Sequence, residues 1–257
     1  MTHAPSALTP DLIEAAAGQL QRAFEDGADI DDLAPDCRPQ SLADARRIQD
    51  ALVDKLAGHG GWKVGQLQPD REPGCAPLPA RRILRSPAMW NFGVSGPLEV
   101  EVEVAVLIGQ DLSQTGALDL ATVRAAVASL HPALEVVSSR LRHRQSLPAL
   151  TALCDLQANA GLVLGPPTEI WAALDLAHLA MTLSIDGQVA AQTEAGPSQE
   201  RMLAALTWLA NHARERGKPL RRGDVVLTGA RILATPVPPR ARIEAVVQSL
   251  GTVELRT

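Results

Sequence analysis

LEVEVEVAVLIG, residues 98–109, is the stretch that decides how the chain is read. Glu99, Glu101 and Glu103 alternate with Val100, Val102 and Val104, and the apolar run 105–108 follows directly. A period of two is the signature of a β-strand, so the carboxylates project from one face and the valines from the other. Carboxylates at i and i+2 stand roughly 7 Å apart, near enough for two of them to hold one hard cation. A half-exposed strand with a solvated acidic face is the plain alternative, because antiparallel sheets often meet water on one side. Two features favour a metal site. Like charges stacked on one face repel unless neutralised, and the run continues into a segment of the buried-strand type.

The rest of the composition narrows the class. A chain of 257 residues with 46% hydrophobic and 21% charged residues has the make-up of a globular protein able to bury a large core. The net charge of -5, with no basic cluster interleaved with aromatics, argues against nucleic acid. Aromatics are 2% and tyrosine is absent, so the core is built from Leu, Val, Ile and Ala. Cys37, Cys75 and Cys154 form no CxxC pair and read as free thiols of a reducing compartment. No basic-then-apolar leader and no run of membrane-spanning length is present, so the expectation is a cytoplasmic protein with no membrane partner. Lysine occurs only at Lys55, Lys63 and Lys218. Since arginine cannot give up its proton, a lysine kept at a strand position points mildly to acid–base work.

Along the chain, residues 9–27 read as a helix capped by Thr9 with Pro10 behind it, and 41–59 as a second, capped by Ser41 and stopped by Gly60 and Gly61. WKVGQL at 62–67 reads as a strand and 68–79 as a loop rich in Pro and Gly. Residues 83–90 suggest a short strand and turn, 118–130 a helix, and ALEVV at 133–137 a strand. A basic turn over 140–146 and a connection over 147–154 lead to Asp155 and a strand at 160–164. Asp186-Gly187 marks a hairpin, 201–216 an amphipathic helix, 224–228 a strand, and 243–247 with 251–255 a closing pair. Helices first and a mostly antiparallel body after them make the class α+β, with a helical region over 1–60 and a β-rich catalytic domain over 61–257.

The chemistry concentrates on Glu101, Glu103 and Glu135. Glu135 is a lone acid among Leu134, Val136 and Val137, costly to bury unless bound to a metal or paired with Arg140 or another arginine. All-oxygen ligation without His or Cys favours Mg²⁺, then Mn²⁺, over zinc or copper. Mg²⁺ keeps open positions for a ligand offering two oxygens, such as the carboxylate and keto oxygen of a 2-oxo acid. No GxGxxG, P-loop, GxSxG or HExxH is present, the histidines show no ligand spacing, and Cys154 has no His beside it to make a nucleophile.

WKVG at 62–65, VEVEVAVLIGQDL at 100–112, PALEVVSSR at 132–140, WLAN at 208–211, GDVVLTG at 223–229 and SLGTVEL at 249–255 occur in this order. Together they resemble the 2-keto-4-pentenoate hydratase and 4-oxalocrotonate decarboxylase family of the fumarylacetoacetate hydrolase superfamily. The resemblance implies a mixed β-sheet roll behind a small helical N-terminal region, one Mg²⁺ or Mn²⁺ per subunit, and a homo-oligomer or a complex with a related decarboxylase or hydratase. It puts Glu101, Glu103 and Glu135 on the metal ligands and Lys63 on the active-site lysine. With a one-residue slip, Asp155 falls on the Asp of a D-N-A segment, although this chain reads DLQAN. Thr228 and Gly229 match a loop bordering the substrate, and Val64, Gly65 and Arg140 lie in matched segments assigned to substrate binding. Departures fall at 76–84, where an acidic residue of the family is missing, at 199–202, which reads QERM, and at 231–239.

The activity so implied is a metal-dependent lyase acting on a 2-oxo or 2-hydroxydienoic acid through a metal-bound enolate, a hydratase first and a decarboxylase second. Lys63, desolvated and beside a cation, is expected to have its pKa lowered toward neutrality so that it can move a proton. Two other outcomes stay open: a carbon–carbon hydrolase, tautomerase or cyclase of the same superfamily, and a non-catalytic subunit that keeps the fold.

Overall fold

Clean start and stop signals build the N-terminal helices. In the computed structural model, which describes residues 7–93 and 97–257 and so leaves His3 outside, α1 spans Pro10–Asp26 and α2 spans Leu42–Lys55. Thr9 Oγ1 accepts the Leu12 amide, Pro10 opens the helix, and Gly27 closes it in the left-handed conformation. Ser41 caps α2 through the Asp44 amide, and the buried Asp44 carboxylate accepts the amides of Leu8 and Gln40. This helix ends at Leu56, before the expected stop. The chain reverses through Ala57 and Gly58, both at positive φ, and Gly60 and Gly61 join the first strand instead.

The strands β1 (His59–Val64), β2 (Cys75–Pro79), β3 (Ile83–Arg85), β4 (Ala88–Met89) and β5 (Glu99–Ile108) follow. Then come α3 (Leu120–Ala125), β6 (Val127–Val137), α4 (Ala149–Cys154) and β7 (Asn159–Leu164). The remainder supplies the hairpin β8 (Met181–Ile185) and β9 (Gln188–Thr193), α5 (Gln199–Glu215), β10 (Val225–Leu227) and β11 (Ile232–Pro236). It closes with β12 (Arg242–Val247) and β13 (Gly251–Arg256). The larger sheet has the order β2-β1-β10-β5-β6-β7-β3, with β11 also paired to β5, and the smaller one β4-β13-β12-β8-β9. Pairings are antiparallel except β1–β10, β3–β7 and β4–β13. This is the α+β architecture expected, a mixed-sheet body behind N-terminal helices.

Four segments differ from the sequence expectation. The loop expected over 68–79 ends in β2, whose Pro77 and Pro79 are tolerated because β2 lies at the sheet edge. The helix expected over 118–130 stops at Ala125. From Val127 onward the chain pairs with β5 along its length, from Ile108↔Val127 to Glu99↔Val137, and that ladder overrides a modest helical preference. The connection over 147–154 contains α4, and the stretch 231–239 contains β11 on the open flank of β5.

Packing explains the alternation in β5. Val100, Val102, Val104 and Val106 enter the main core, where α5 contributes Met202, Leu206 and Leu209. The opposite face is covered too, since Ala105, Ala133, Leu162 and Leu227 form a second apolar cluster beside the glutamates. The acidic face is therefore an interior face. A third cluster joins α1 and α2 to Leu141, Cys154 and Leu156, so the N-terminal helices bury their stripe against a later part of the chain.

The parallel β1–β10 contact is the tightest of these joints. A Cβ on Gly61 would overlap the backbone of Val225, whereas one on Gly18 in α1 meets only an arginine side-chain tip at 3.7 Å. Gly61→Ala is expected to cost roughly 2 kcal/mol or more, and Gly18→Ala to stabilise by about 0.5–1 kcal/mol. Urea unfolding of both variants checks this, and equal midpoints would show that β1 and β10 are not locked together.

Candidate metal centre

The β5–β6 register sets Glu101 directly opposite Glu135, with Glu103 one pleat along opposite Ala133. One carboxylate oxygen from each of Glu101, Glu103 and Glu135 lies within 4.8 Å of the other two. Glu135 is 0% exposed and Glu103 2%, while Glu101 is half-buried. Lys63 arrives from β1, across β10, and its Nζ donates to Glu135 Oε1 at 2.5 Å. Asn159 Nδ2 donates to the same oxygen at 3.0 Å. The other oxygen, Oε2, is buried without a partner. Glu103 Oε2 accepts the Gly229 amide at 2.8 Å.

Electrostatics make this a site in need of positive charge. Burial pushes the Glu103 carboxyl well above the usual range, the charges of Glu135 and Glu101 push further, and Lys63 offsets them only in part. Glu101 is raised as well, by burial and then by Glu135. For Lys63, burial alone would lower the pKa, but the charges of Glu135 and Glu103 outweigh it and the net direction is upward. That is the direction with no cation beside the lysine; the lowering toward neutrality is expected of the site with its metal bound. Three carboxylates thus share one ammonium, and a buried acceptor oxygen is left over. Oxygen-only donors, excess negative charge and an orphaned Oε2 are what a hard divalent cation such as Mg²⁺ or Mn²⁺ requires, so the residues fit such an ion. Among the described residues no other group of three or more His, Cys, Asp or Glu gathers in this way.

The other sequence-derived positions lie around this cluster in different ways. Gly229 touches it through the Glu103 hydrogen bond. Thr228 is buried, its hydroxyl donates to Val104 O at 2.9 Å, and its own carbonyl accepts Gln66 Nε2 at 2.7 Å. Val64 points into the main core, and the Gly65 amide is spent on Gly74 O. Asp155 and Arg140 are not brought to the carboxylates. They bind each other, Arg140 Nε donating to Asp155 Oδ1 at 2.6 Å, so the cation paired with Glu135 is Lys63 and not Arg140. A cavity of about 640 Å³ opens past the end of the acidic row, where Glu99, Val137, Ser138, Arg142 and His143 line it and Glu101, Glu103 and Glu135 do not. Sequence reasoning missed Gln66 and Asn159. The only signal for Asn159 was a polar residue at the mouth of the apolar run 160–164.

The profile of the fumarylacetoacetate (FAA) hydrolase C-terminal region matches residues 75–256. The chain belongs to the FAA hydrolase family. Among curated relatives, the 2-keto-4-pentenoate hydratase of Burkholderia vietnamiensis is 30% identical over 253 residues, spanning 94% of this chain and 95% of the relative. That of Paraburkholderia phymatum is 29% identical over 255 residues, spanning 94% and 95%. The solved 4-oxalocrotonate decarboxylase of Pseudomonas putida, complexed with magnesium and adipate, superposes with a TM-score of 0.84 at 22% identity, covering 98% of this chain and 99% of the other. A fumarylpyruvate hydrolase of Pseudomonas aeruginosa in complex with Mn²⁺ and pyruvate matches at 0.53 and 18% identity, over 76% of this chain and 87% of that one. These structures share the fold.

Neutralising one carboxylate separates charge from packing. In chelator at pH 8, Glu103→Gln is expected to be more stable than the wild type by roughly 1 kcal/mol or more. A carboxyl whose pKa is raised on folding contributes stability below its ordinary pKa and loses it as pH rises through the raised value, so the gap closes toward acid pH. The same variant is expected to lose the rise in melting temperature that Mg²⁺ or Mn²⁺ gives the wild type. An undiminished metal-induced rise would remove Glu103 from the ligand set.

Proposed function

We propose that the chain is a divalent-metal-dependent lyase of 2-oxo acids, a hydratase of the 2-keto-4-pentenoate type, using Mg²⁺ or Mn²⁺ held by Glu101, Glu103 and Glu135. The observation that carries this reading is the Lys63 ammonium set directly against a buried, oxygen-only carboxylate triad. Hydratases that match nearly the full length of the chain support the reaction class, and relatives solved with magnesium or Mn²⁺ beside carboxylic acids support the cofactor. A divalent cation on the triad would supply Lewis-acid stabilisation of the negative charge that builds on a 2-oxo acid during proton transfer.

The chain's own residues then do three things. Lys63 Nζ gives a proton to the far carbon of the diene and takes back the proton of the 2-hydroxyl, leaving a 2-oxo-3-enoic acid with Lys63 recharged; water then adds its hydroxyl to the fourth carbon and its remaining proton to the third. The hydrogen bond from Lys63 to Glu135 fixes where that proton waits. The Gly229 amide holds Glu103 in place, and the apolar cluster of Ala105, Ala133, Leu162 and Leu227 keeps bulk water from the carboxylates.

Purified protein with Mg²⁺ is expected to consume 2-hydroxypentadienoate, seen as loss of the dienol absorbance, and Lys63→Met to lower turnover by about 100- to 10,000-fold while still binding the metal. Release of CO₂ from 4-oxalocrotonate without hydration would move the assignment to a decarboxylase. Metal binding with no turnover of either acid would mark a non-catalytic subunit.

A further inference from the structure

Between Asp155 and β7 the backbone does something L-residues avoid. Leu156, Gln157 and Ala158 lie at φ 48°, 54° and 63°, three consecutive left-handed residues with no glycine among them. Each costs free energy through the contact of Cβ with the following carbonyl, and such a run persists only where its surroundings over-determine it. Here the surroundings are Arg140. Its Nη2 donates to Asp155 O at 2.8 Å and its Nη1 to Asn159 O at 2.8 Å, so one guanidinium spans the carbonyls at both ends of the turn. Nε and the backbone amide of Arg140 bind the Asp155 carboxylate, Ser138 O takes a further bond from Nη1, and the guanidinium packs 4.2 Å from the centre of the Phe24 ring.

The turn ends by delivering Asn159 to the glutamates. Asn159 is fully buried, and its Nδ2 donates to Glu135 Oε1 at 3.0 Å and to Gly161 O at 3.3 Å. Its Oδ1 has no partner. A buried amide left half-satisfied is a liability that an apolar residue of similar volume would not carry, so the fold alone does not account for an asparagine there. What the amide achieves is visible at Glu135. With Lys63 on one side and Asn159 on the other, Oε1 is saturated, the carboxylate plane is fixed, and Oε2 is the oxygen left over.

We propose that Asn159 is a positioning residue of the metal centre, turning Glu135 so that Oε2 is reserved for the cation, and that the Arg140–Asp155 pair clamps the left-handed turn that puts it there. This rests on the proposed metal centre and adds a residue to it. Asparagine is suited to the task because it donates without bringing charge. A lysine at 159 would supply a second competing cation, and an aspartate would repel Glu135.

The test is Mn²⁺ binding to wild type, Asn159→Leu and Asn159→Ala, by calorimetry and by electron paramagnetic resonance of the bound ion, with melting temperatures in chelator as the control for folding. Wild type is expected to bind one Mn²⁺. Both variants are expected to bind it at least tenfold more weakly with an altered resonance line shape, while their melting temperatures in chelator stay at or above that of the wild type. If Asn159→Leu fails to fold, Asn159→Ala decides. Affinity within twofold of wild type in a folded variant overturns the positioning role and leaves the metal centre standing, whereas absence of Mn²⁺ binding in the wild type overturns both.

Discussion

The structure is arranged around a charge imbalance. Glu101, Glu103 and Glu135 meet in a place largely closed to water, and one ammonium, that of Lys63, is bonded to them, with the Arg231 guanidinium felt by Glu103 from farther off. Removing charges from water costs several kcal/mol per ion even after relaxation, so this arrangement survives only because folding elsewhere outweighs it. The two apolar faces of the larger sheet do that work. The valines of β5 anchor one side under α5, and the small cluster around Ala105 and Leu227 closes the other. The carboxylates sit in the seam and cannot turn outward without breaking strand register, since a one-residue slip would exchange glutamates for valines.

That constraint also explains which parts of the site were legible in the sequence. The Glu/Val alternation of 99–104 and the lone acid of ALEVV announce themselves, because strand periodicity and an unpaired charge among apolar neighbours are local patterns. The FAA-hydrolase resemblance was legible for the same reason, being carried by short contiguous segments. What joins those segments was not. Arg140 was the obvious sequence neighbour for Glu135, yet the ladder β1-β10-β5-β6 brings Lys63 to it and leaves Arg140 to Asp155. The convergence of three carboxylates on Lys63 was equally hidden, because it depends on which strands pair and not on the lysine's own segment.

Two of the misread stretches share one cause. β2 looked like a loop because of its prolines, and 126–130 looked helical because of its alanines and leucine. In each case pairing with the preceding strand decided the outcome over local preference. Residues 156–158 are the extreme instance. Nothing in the triplet Leu-Gln-Ala favours a left-handed turn, and it is held by Arg140 at the carbonyls of both its ends together with the Ser138 amide on Ala158 O.

The position of β10 has a consequence for how the charges are brought together. It contributes only residues 225–227, yet it lies between β1 and β5, so Lys63 gains its place beside the glutamates through a short strand that comes later in the chain than either neighbour. Without β10 between them, β1 is not joined to β5, and the three acidic groups lack their resident counter-charge. The three carboxylates are thus gathered by the pairing of β5 with β6, while their ammonium depends on a separate joint of the sheet.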